Sequence, residues 1–241
     1  MRAAWVPWIV VILAVVGAGL SLLISQSLGL VPQCNVFLEG CTSISGTGRQ
    51  EPASFVYRAT IIPAIVLLSV TWWLTAAWLG RLGAANRRWR MALVVFGGLS
   101  PVLAVIYVVI LGASGVWIDA GRQWISASYF TMALVAKLFV GTILLRQART
   151  GNPLVPNGLG LAMFAIPVAL LLVMVTSVML ELVMADASVA HNLLQWPATM
   201  AFAGWYFLLG LSWKVTGLEV RLEAHPPAGF PGSSETGQVK R

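Results

Sequence analysis

Six long runs of apolar residues, separated by short polar connections, dominate the chain. They cover residues 5–30, 55–79, 91–116, 125–145, 158–184 and 193–215. Each run reaches the roughly 20 residues that an α-helix needs to cross the hydrocarbon core of a membrane. The runs are continuously apolar, whereas a strand of a membrane barrel would alternate in polarity over about 10 residues. The pattern therefore predicts an all-α membrane protein, with a bundle of six transmembrane helices in one domain over residues 1–225.

Composition agrees with this class. Of the 241 residues, 59% are hydrophobic and only 10% are charged, whereas a soluble domain typically has about 25% charged residues. A cleavable signal peptide has an apolar stretch of about 7 to 15 residues, and the first apolar run of this chain is much longer. We therefore predict that it remains as the first membrane span.

Basic residues alternate in density along the chain. Eleven of the fifteen fall at the termini and in the even-numbered connections: Arg2, Arg81, Arg87, Arg88, Arg90, Arg146, Arg149, Lys214, Arg221, Lys240 and Arg241. By the positive-inside rule, both termini and these connections are predicted to be cytoplasmic, and the loop of residues 31–54 lies on the other side. Residues 226–241, rich in Pro, Gly, Ser and charge, are predicted to be a disordered cytoplasmic tail. The net charge of +7 therefore reflects topology and attraction to anionic lipid, and nucleic acid is not an expected partner.

The loop of residues 31–54 contains both cysteines of the chain, Cys34 and Cys41. Thiols outside the cytoplasm oxidise, so we predict a disulfide between them. A metal site is not expected, because only His191 and His225 could add to the two cysteines and a structural zinc site usually needs four ligands. No cofactor is predicted.

Several helix-breaking residues interrupt the runs, namely Pro63, the pair Gly97 and Gly98, Pro101 and Pro167. They predict kinks. One interpretation is that such kinks only allow the helices to pack. The other is that the protein is a small transporter, in which broken helices form a substrate site at the membrane midplane. A transporter would also show an internal repeat, and none is convincing. Most tryptophans lie near the ends of the runs and are interpreted as an interfacial belt; they include Trp5, Trp8, Trp72, Trp73, Trp78, Trp89, Trp117, Trp124, Trp196 and Trp213.

The segment Ile44, Ser45, Gly46, Thr47 and Gly48 follows the cysteine-containing stretch and precedes the second span. It resembles the loop signature of the FRAG/DRAM/SFK family, whose members have six spans and cytoplasmic termini. The last span, which opens at Gln195 and Trp196, is also similar. Two departures are Thr42, where the family usually has proline, and Gln195, where it often has an acidic residue.

The resemblance implies that the chain is a divergent member of this family and acts on or organises lipids. The implied location is the inner (plasma) membrane of a bacterium, or an endomembrane if the chain is eukaryotic. Relatives include a GPI-anchor lipid-remodelling factor, proteins that affect plasma-membrane lipid organisation and autophagy modulators of lysosomal membranes. The resemblance supplies no catalytic residues.

Ionisable residues inside membrane spans are costly and are therefore candidates for function. Arg58 and Glu181 lie near the outer ends of the second and fifth spans, and Asp186 and His191 follow in the next connection. We predict that these four form an outer cluster for a lipid headgroup; the alternative is an Arg58–Glu181 ion pair that only holds helices together. Lys137 lies about 18 Å below the outer boundary and is predicted to cap backbone carbonyls at a kink or to face a wet crevice.

Three functions are compatible with the sequence. The favoured one is non-enzymatic binding or organisation of membrane lipids, the expected partners, at the outer leaflet. The second is a membrane-embedded lipid-remodelling enzyme of the acyl-transfer type, and the third is a small transporter. For an enzyme, Ser43 or Ser45 with His191 and Asp186 would supply a nucleophilic site, but no nucleophile-elbow pattern accompanies them.

Overall fold

A computed structural model describes residues 3–151, 155–184 and 186–219. Its elements within these ranges are all helices, as predicted: α1 (Trp5–Ser27), α2 (Ile44–Thr47), α3 (Ala53–Arg81), α4 (Arg87–Val109), α5 (Val116–Arg149), α6 (Asn157–Val183) and α7 (Ser188–Val215). The predicted disordered tail, residues 226–241, lies outside the described residues.

Five helices, α1, α3, α4, α5 and α6, are long and apolar enough to cross a membrane. They are compatible with an integral, multi-pass membrane protein. Helix α7 corresponds to the sixth predicted span and has 28 residues, which is sufficient length. Its tryptophans, tyrosine and polar residues make its most apolar stretch less apolar than those of the other five.

The six long helices form a closed ring. In order around it, α1 packs against α3, α3 against α4, α4 against α5, α5 against α6, α6 against α7, and α7 against α1. Residues 28–52, 110–115 and 184–187 connect helices at one end, which we call the disulfide end. At the opposite end the first and last described segments meet, where the amide of Ala3 donates to the carbonyl of Leu218 at 3.2 Å.

Helix α5 starts earlier than the apolar pattern predicts, at Val116 instead of residue 125, and α4 ends at Val109. The break falls at Gly115, whose φ of 144° favours glycine because a Cβ would be strained there. Arg122 stabilises the turn: its guanidinium donates to the carbonyls of Leu111 and Ala113 at 3.3 and 3.2 Å and to Asp119 at 2.6 Å. Polar side chains, not apolar ones, therefore determine this boundary.

Helices α5 and α6 approach each other most closely toward the end opposite the disulfide. A Cβ added at Gly141 of α5 would lie 2.5 Å from the carbonyl oxygen of Met163, and one at Gly160 of α6 would lie 3.0 Å from that of Leu144. Past Pro167, which is buried, no residue of α6 is buried up to Val183. The disulfide-end half of α6 therefore stands away from the core.

The interpretation of the tryptophans as an interfacial belt is wrong for four of the ten named for it. Trp72, Trp78, Trp196 and Trp213 are buried, as is Trp205. Several of them use the indole N–H inside the protein, since Trp196 donates to the carbonyl of Thr42 and Trp205 to that of Met163, each at 3.0 Å. An indole buried in this way supplies apolar area and satisfies its own donor, so tryptophan forms much of the core here. Exposed indoles include Trp5, Trp73, Trp89, Trp117 and Trp124.

Candidate functional site

The loop at the disulfide end is tightly bonded to the helices around it. Cys34 and Cys41 form the predicted disulfide. From α7, Asn192 donates to the carbonyl of Gly40 at 2.9 Å, and Gln195 accepts the amide of Ile44 at 3.2 Å. These bonds fix the loop as a cover over this end of the ring.

The segment that resembles the family signature forms helix α2 within this cover. The side chain of Ser43 caps it by accepting the amide of Gly46 at 2.9 Å, and Ile44, Ser45 and Thr47 are buried. Gly48 lies against Tyr57, because an added Cβ would come within 2.5 Å of that ring. The segment therefore packs into the ring and turns Ser45 toward its interior.

Beneath α2 lies a cleft of about 840 Å³ between the disulfide-end halves of α5, α6 and α7. It exists because α6 stands away from the core past Pro167. The facing part of α5 is equally loosely packed, since none of its residues is buried before Ala133. The volume is within the range of small-molecule and cofactor sites, about 300 to 1,000 Å³.

Polarity changes along the length of the cleft. At the disulfide end it is lined by polar side chains, which include Ser45, Arg49, Asp119, Arg122, Glu181, His191 and Gln195. Its deeper wall is apolar and includes Leu134, Leu170, Val173, Met174 and Phe202. From His191 to Phe202 along α7 the helical rise amounts to about 16 Å. A charged mouth and an apolar floor are therefore separated by about the thickness of one leaflet, half of the roughly 30 Å hydrocarbon core.

The charges at the mouth are only partly paired. Arg122 is bound to Asp119 and to two carbonyls, so its donors are largely occupied. His191 Nε2 lies 3.4 Å from Glu181 Oε1 without hydrogen-bond geometry. Arg49 is exposed, and among the described residues no ion pair or side-chain hydrogen bond involves its guanidinium. Arg49 is therefore the cation at the mouth that is available to a ligand.

The structure brings together two of the four residues predicted as an outer cluster, Glu181 and His191. Asp186 lies nearby in the chain but accepts the amide of Ser188 at 2.9 Å and does not line the cleft. That hydrogen bond, with a further one from the Ser188 hydroxyl, lowers the pKa of the Asp186 carboxyl. Asp186 thus stabilises the start of α7.

Arg58 is the residue that the cluster hypothesis places wrongly. Its helix, α3, packs between α1 and α4, whereas the helix of Glu181, α6, packs between α5 and α7. Arg58 lies against the turn after α4, where an added Cβ at Gly112 would be 3.2 Å from Nη2 of Arg58. It neither pairs with Glu181 nor lines the cleft.

Lys137 has surroundings that the sequence does not reveal. The side chain is fully buried, and Nζ has no hydrogen-bond partner in the described part of the chain. Nζ lies 3.5 Å from the ring centroid of Phe202, 3.7 Å from that of Tyr206, 4.7 Å from Trp205 and 5.5 Å from Trp72. The prediction that Lys137 caps carbonyls or faces a wet crevice is therefore wrong, and an aromatic cage surrounds the amine instead.

A second cavity, of about 140 Å³, lies at the centre of the ring and is mostly apolar. It shares Ser45, Gln195 and Phe202 with the cleft, and Tyr206 also lines it. Two of the four cage rings, Phe202 and Tyr206, are thus cavity walls. The amine of Lys137 lies directly behind them.

Residues proposed for a nucleophilic site share the cleft without forming a catalytic arrangement. Ser43, Ser45 and His191 all line it. The two serine hydroxyls lie 3.2 Å apart and bond to each other, and among the described hydrogen bonds none joins either serine to His191. Asp186 is turned toward Ser188.

Several residues of the site are not predicted by the sequence. In the sequence, Arg49 and Arg122 are only two of the sparse basic residues on the side predicted to be non-cytoplasmic, and the cage rings come from two distant helices, α3 and α7. The one pattern that could have indicated the cage is the aromatic density of α7, with Phe202, Trp205 and Tyr206 within five residues.

No protein-family model matches the chain, and neither a curated protein nor a solved structure is significantly similar to it.

Proposed function

We propose that this protein binds a membrane lipid of the outer leaflet in the cleft between α5, α6 and α7, without catalysing a reaction. The observation that supports this most directly is the cleft's polarity gradient, with charge at one end and an apolar floor about 16 Å away along α7. A lipid has the same gradient, with a headgroup at the interface and chains that extend through one leaflet. The resemblance of residues 44–48 to the FRAG/DRAM/SFK loop points in the same direction.

Arg49 is the headgroup contact in this proposal. It replaces Arg58, which lies outside the cleft. At the mouth, Arg122 pairs with Asp119, and His191 lies beside Glu181. Arg49 is the basic side chain there that has no ion pair in the described structure. A lipid phosphate placed there would accept hydrogen bonds from the guanidinium.

Replacing Arg49 with glutamine should weaken the binding of an anionic phospholipid about fivefold, since one basic residue near a membrane surface contributes about 1 kcal/mol to such binding. Native mass spectrometry of protein purified with phosphatidylglycerol measures the retained lipid. Arg58→Gln is the matched control, because it removes an arginine from the same end of the bundle but not from the cleft. Equal lipid loss in the two variants, or no loss with Arg49→Gln, would refute the assignment of the headgroup to Arg49.

The proposal includes a topology with six spans, in which α7 is the sixth and both termini are cytoplasmic. It is supported by the ring order, in which α7 packs against both α6 and α1, and by the charge asymmetry along the chain. The disulfide end then faces away from the cytoplasm, where a disulfide persists, and the expected location is the bacterial inner membrane.

Single cysteines placed in residues 82–86 and 150–156 test this topology, in a background in which Cys34 and Cys41 are replaced by serine. We expect a membrane-impermeant thiol reagent to label them only after lysis, because four arginines lie at or beside the first connection, Arg81, Arg87, Arg88 and Arg90, and basic residues concentrate on the cytoplasmic side. A cysteine at position 113, in the turn before α5, is the control that should react in intact cells. The reverse pattern would invert the orientation and place the cleft in the inner leaflet.

A further inference from the structure

The amine of Lys137 is a buried polar group that has no hydrogen-bond partner and no salt bridge to an acid within the described residues. It is fully buried near the middle of α5, and both salt bridges of the described residues lie elsewhere. Contact with four aromatic rings compensates in part, as cation–π contacts do. The rings carry no net negative charge to offset the desolvation of an ammonium, so the cage does not replace a counter-ion.

Two further polar groups beside Lys137 lack a well-formed hydrogen bond. The indole Nε1 of Trp72 and the hydroxyl of Tyr206 are buried and lie close enough to interact with each other, but neither makes a hydrogen bond of acceptable geometry in the described structure. Both side chains belong to the cage, and their rings lie 5.9 Å apart in an edge-to-face arrangement. Buried donors without acceptors are rare in folded proteins and often mark a place for a bound group. An amine, an indole N–H and a phenol together suit an oxygen anion.

Access to Lys137 is through Phe202. This ring is only half-buried, since it lines both the cleft and the central cavity, and its centroid lies 3.5 Å from Nζ of Lys137. Entry of a ligand to the amine requires this ring to turn. A group at the floor of the cleft is therefore separated from the amine by one aromatic side chain.

We propose that Lys137, with Tyr206 and Trp72, is a binding site for the carboxylate of a single-chain amphiphile that enters through the cleft. The carboxylate supplies the missing counter-charge and acceptors, and the alkyl chain lies along the apolar wall formed by Leu170, Val173 and Met174. The cleft extends about 16 Å between His191 and Phe202 by helical rise, a length that corresponds to a long-chain fatty acid. This inference rests on the proposed function only in that both ligands use the same cleft.

The test uses the full-length protein in phosphatidylglycerol nanodiscs, with radiolabelled palmitate as the probe. Unlabelled palmitate, hexadecanol and acetate compete, and bound phospholipid is measured on the same samples. We expect palmitate to bind at least tenfold more tightly than hexadecanol, and Lys137→Met to abolish that preference. Lys137→Arg should retain it, because it keeps the charge. Lys214→Met, at the far end of α7, is the matched control and should behave like the unmodified protein.

Other results would overturn the assignment in distinguishable ways. If Lys137→Met keeps the preference for palmitate, or if the unmodified protein has no such preference while it still retains phospholipid, the carboxylate site is wrong and the proposed function stands. If acetate displaces palmitate at equal concentration, the site takes a small anion from water and not an amphiphile. If neither phospholipid nor a single-chain compound binds, both proposals fail. Thermal melts of each variant confirm that it is folded.

Discussion

Replacement of Lys137 with methionine is expected to stabilise the protein without ligand by about 1 to 3 kcal/mol, the usual cost of a buried polar group left without a hydrogen bond. The amine is fully buried without a hydrogen-bond partner among the described residues. A buried ammonium loses hydration that the fold does not restore, and even a neutral amine left unsatisfied costs about 1 to 3 kcal/mol. Methionine fills a similar volume and makes favourable contacts with aromatic rings.

Thermal or chemical denaturation in detergent measures this effect. Lys214→Met is the control, because Lys214 lies in the last turn of α7 and surface substitutions usually change stability by no more than about 0.5 kcal/mol. A clear loss of stability in Lys137→Met, larger than that of the control, would show that the aromatic cage needs the cation. The buried lysine would then be a structural element and not a residue retained at a cost for a ligand.

Replacement of Gly141 with alanine should destabilise the protein by about 1 to 3 kcal/mol or more, the usual cost of overpacking a core. The new Cβ would lie 2.5 Å from the carbonyl oxygen of Met163 and 2.9 Å from the Cα of Phe164. Both are backbone atoms, so no side chain can rotate away, and α5 and α6 must separate. Because these helices diverge into the cleft just beyond this contact, the substitution should also change lipid retention.

Gly121→Ala is the matched control in the same helix. An added Cβ there meets nothing within 4 Å, so the variant should gain up to about 1 kcal/mol, because alanine favours the helix over glycine. Denaturation of the two variants side by side measures the difference. Equal stability of both would mean that α5 and α6 are not as closely packed as the structure has them.

Elements formed by residues close in sequence could be predicted. Continuous apolar runs predict the long helices, because a chain in a membrane must satisfy its backbone hydrogen bonds within each segment. The disulfide was also predictable, since Cys34 and Cys41 share a short loop that the charge pattern predicts to lie in an oxidising compartment. The start of α5 at Val116 was not, because it depends on Gly115 and on the bonds of Arg122, which polarity averaged over a long window does not resolve.

The depth of a residue along the bundle does not by itself predict which other residues of the candidate site lie beside it. Arg58 and Glu181 were placed together because both lie near the same end of the bundle. Depth follows from counting residues at 1.5 Å each, but the order of helices around the ring does not. In the structure α3 has α1 and α4 as neighbours, and α6 has α5 and α7, so residues at the same depth face different parts of the ring.

By itself, the sequence determined the helical class, the extent of most apolar segments, the cysteine pair and the charge asymmetry, all of which depend on composition along a single stretch of chain. Only the tertiary structure decided that α6 stands away from the core past Pro167, that Arg49 and not Arg58 lies at the mouth of the cleft, and that four rings surround Lys137. The physical reason is that these features depend on how each helix is rotated and on which helix is its neighbour. In a membrane, where lipid and protein are both apolar, hydrophobicity says little about that choice and close packing decides it.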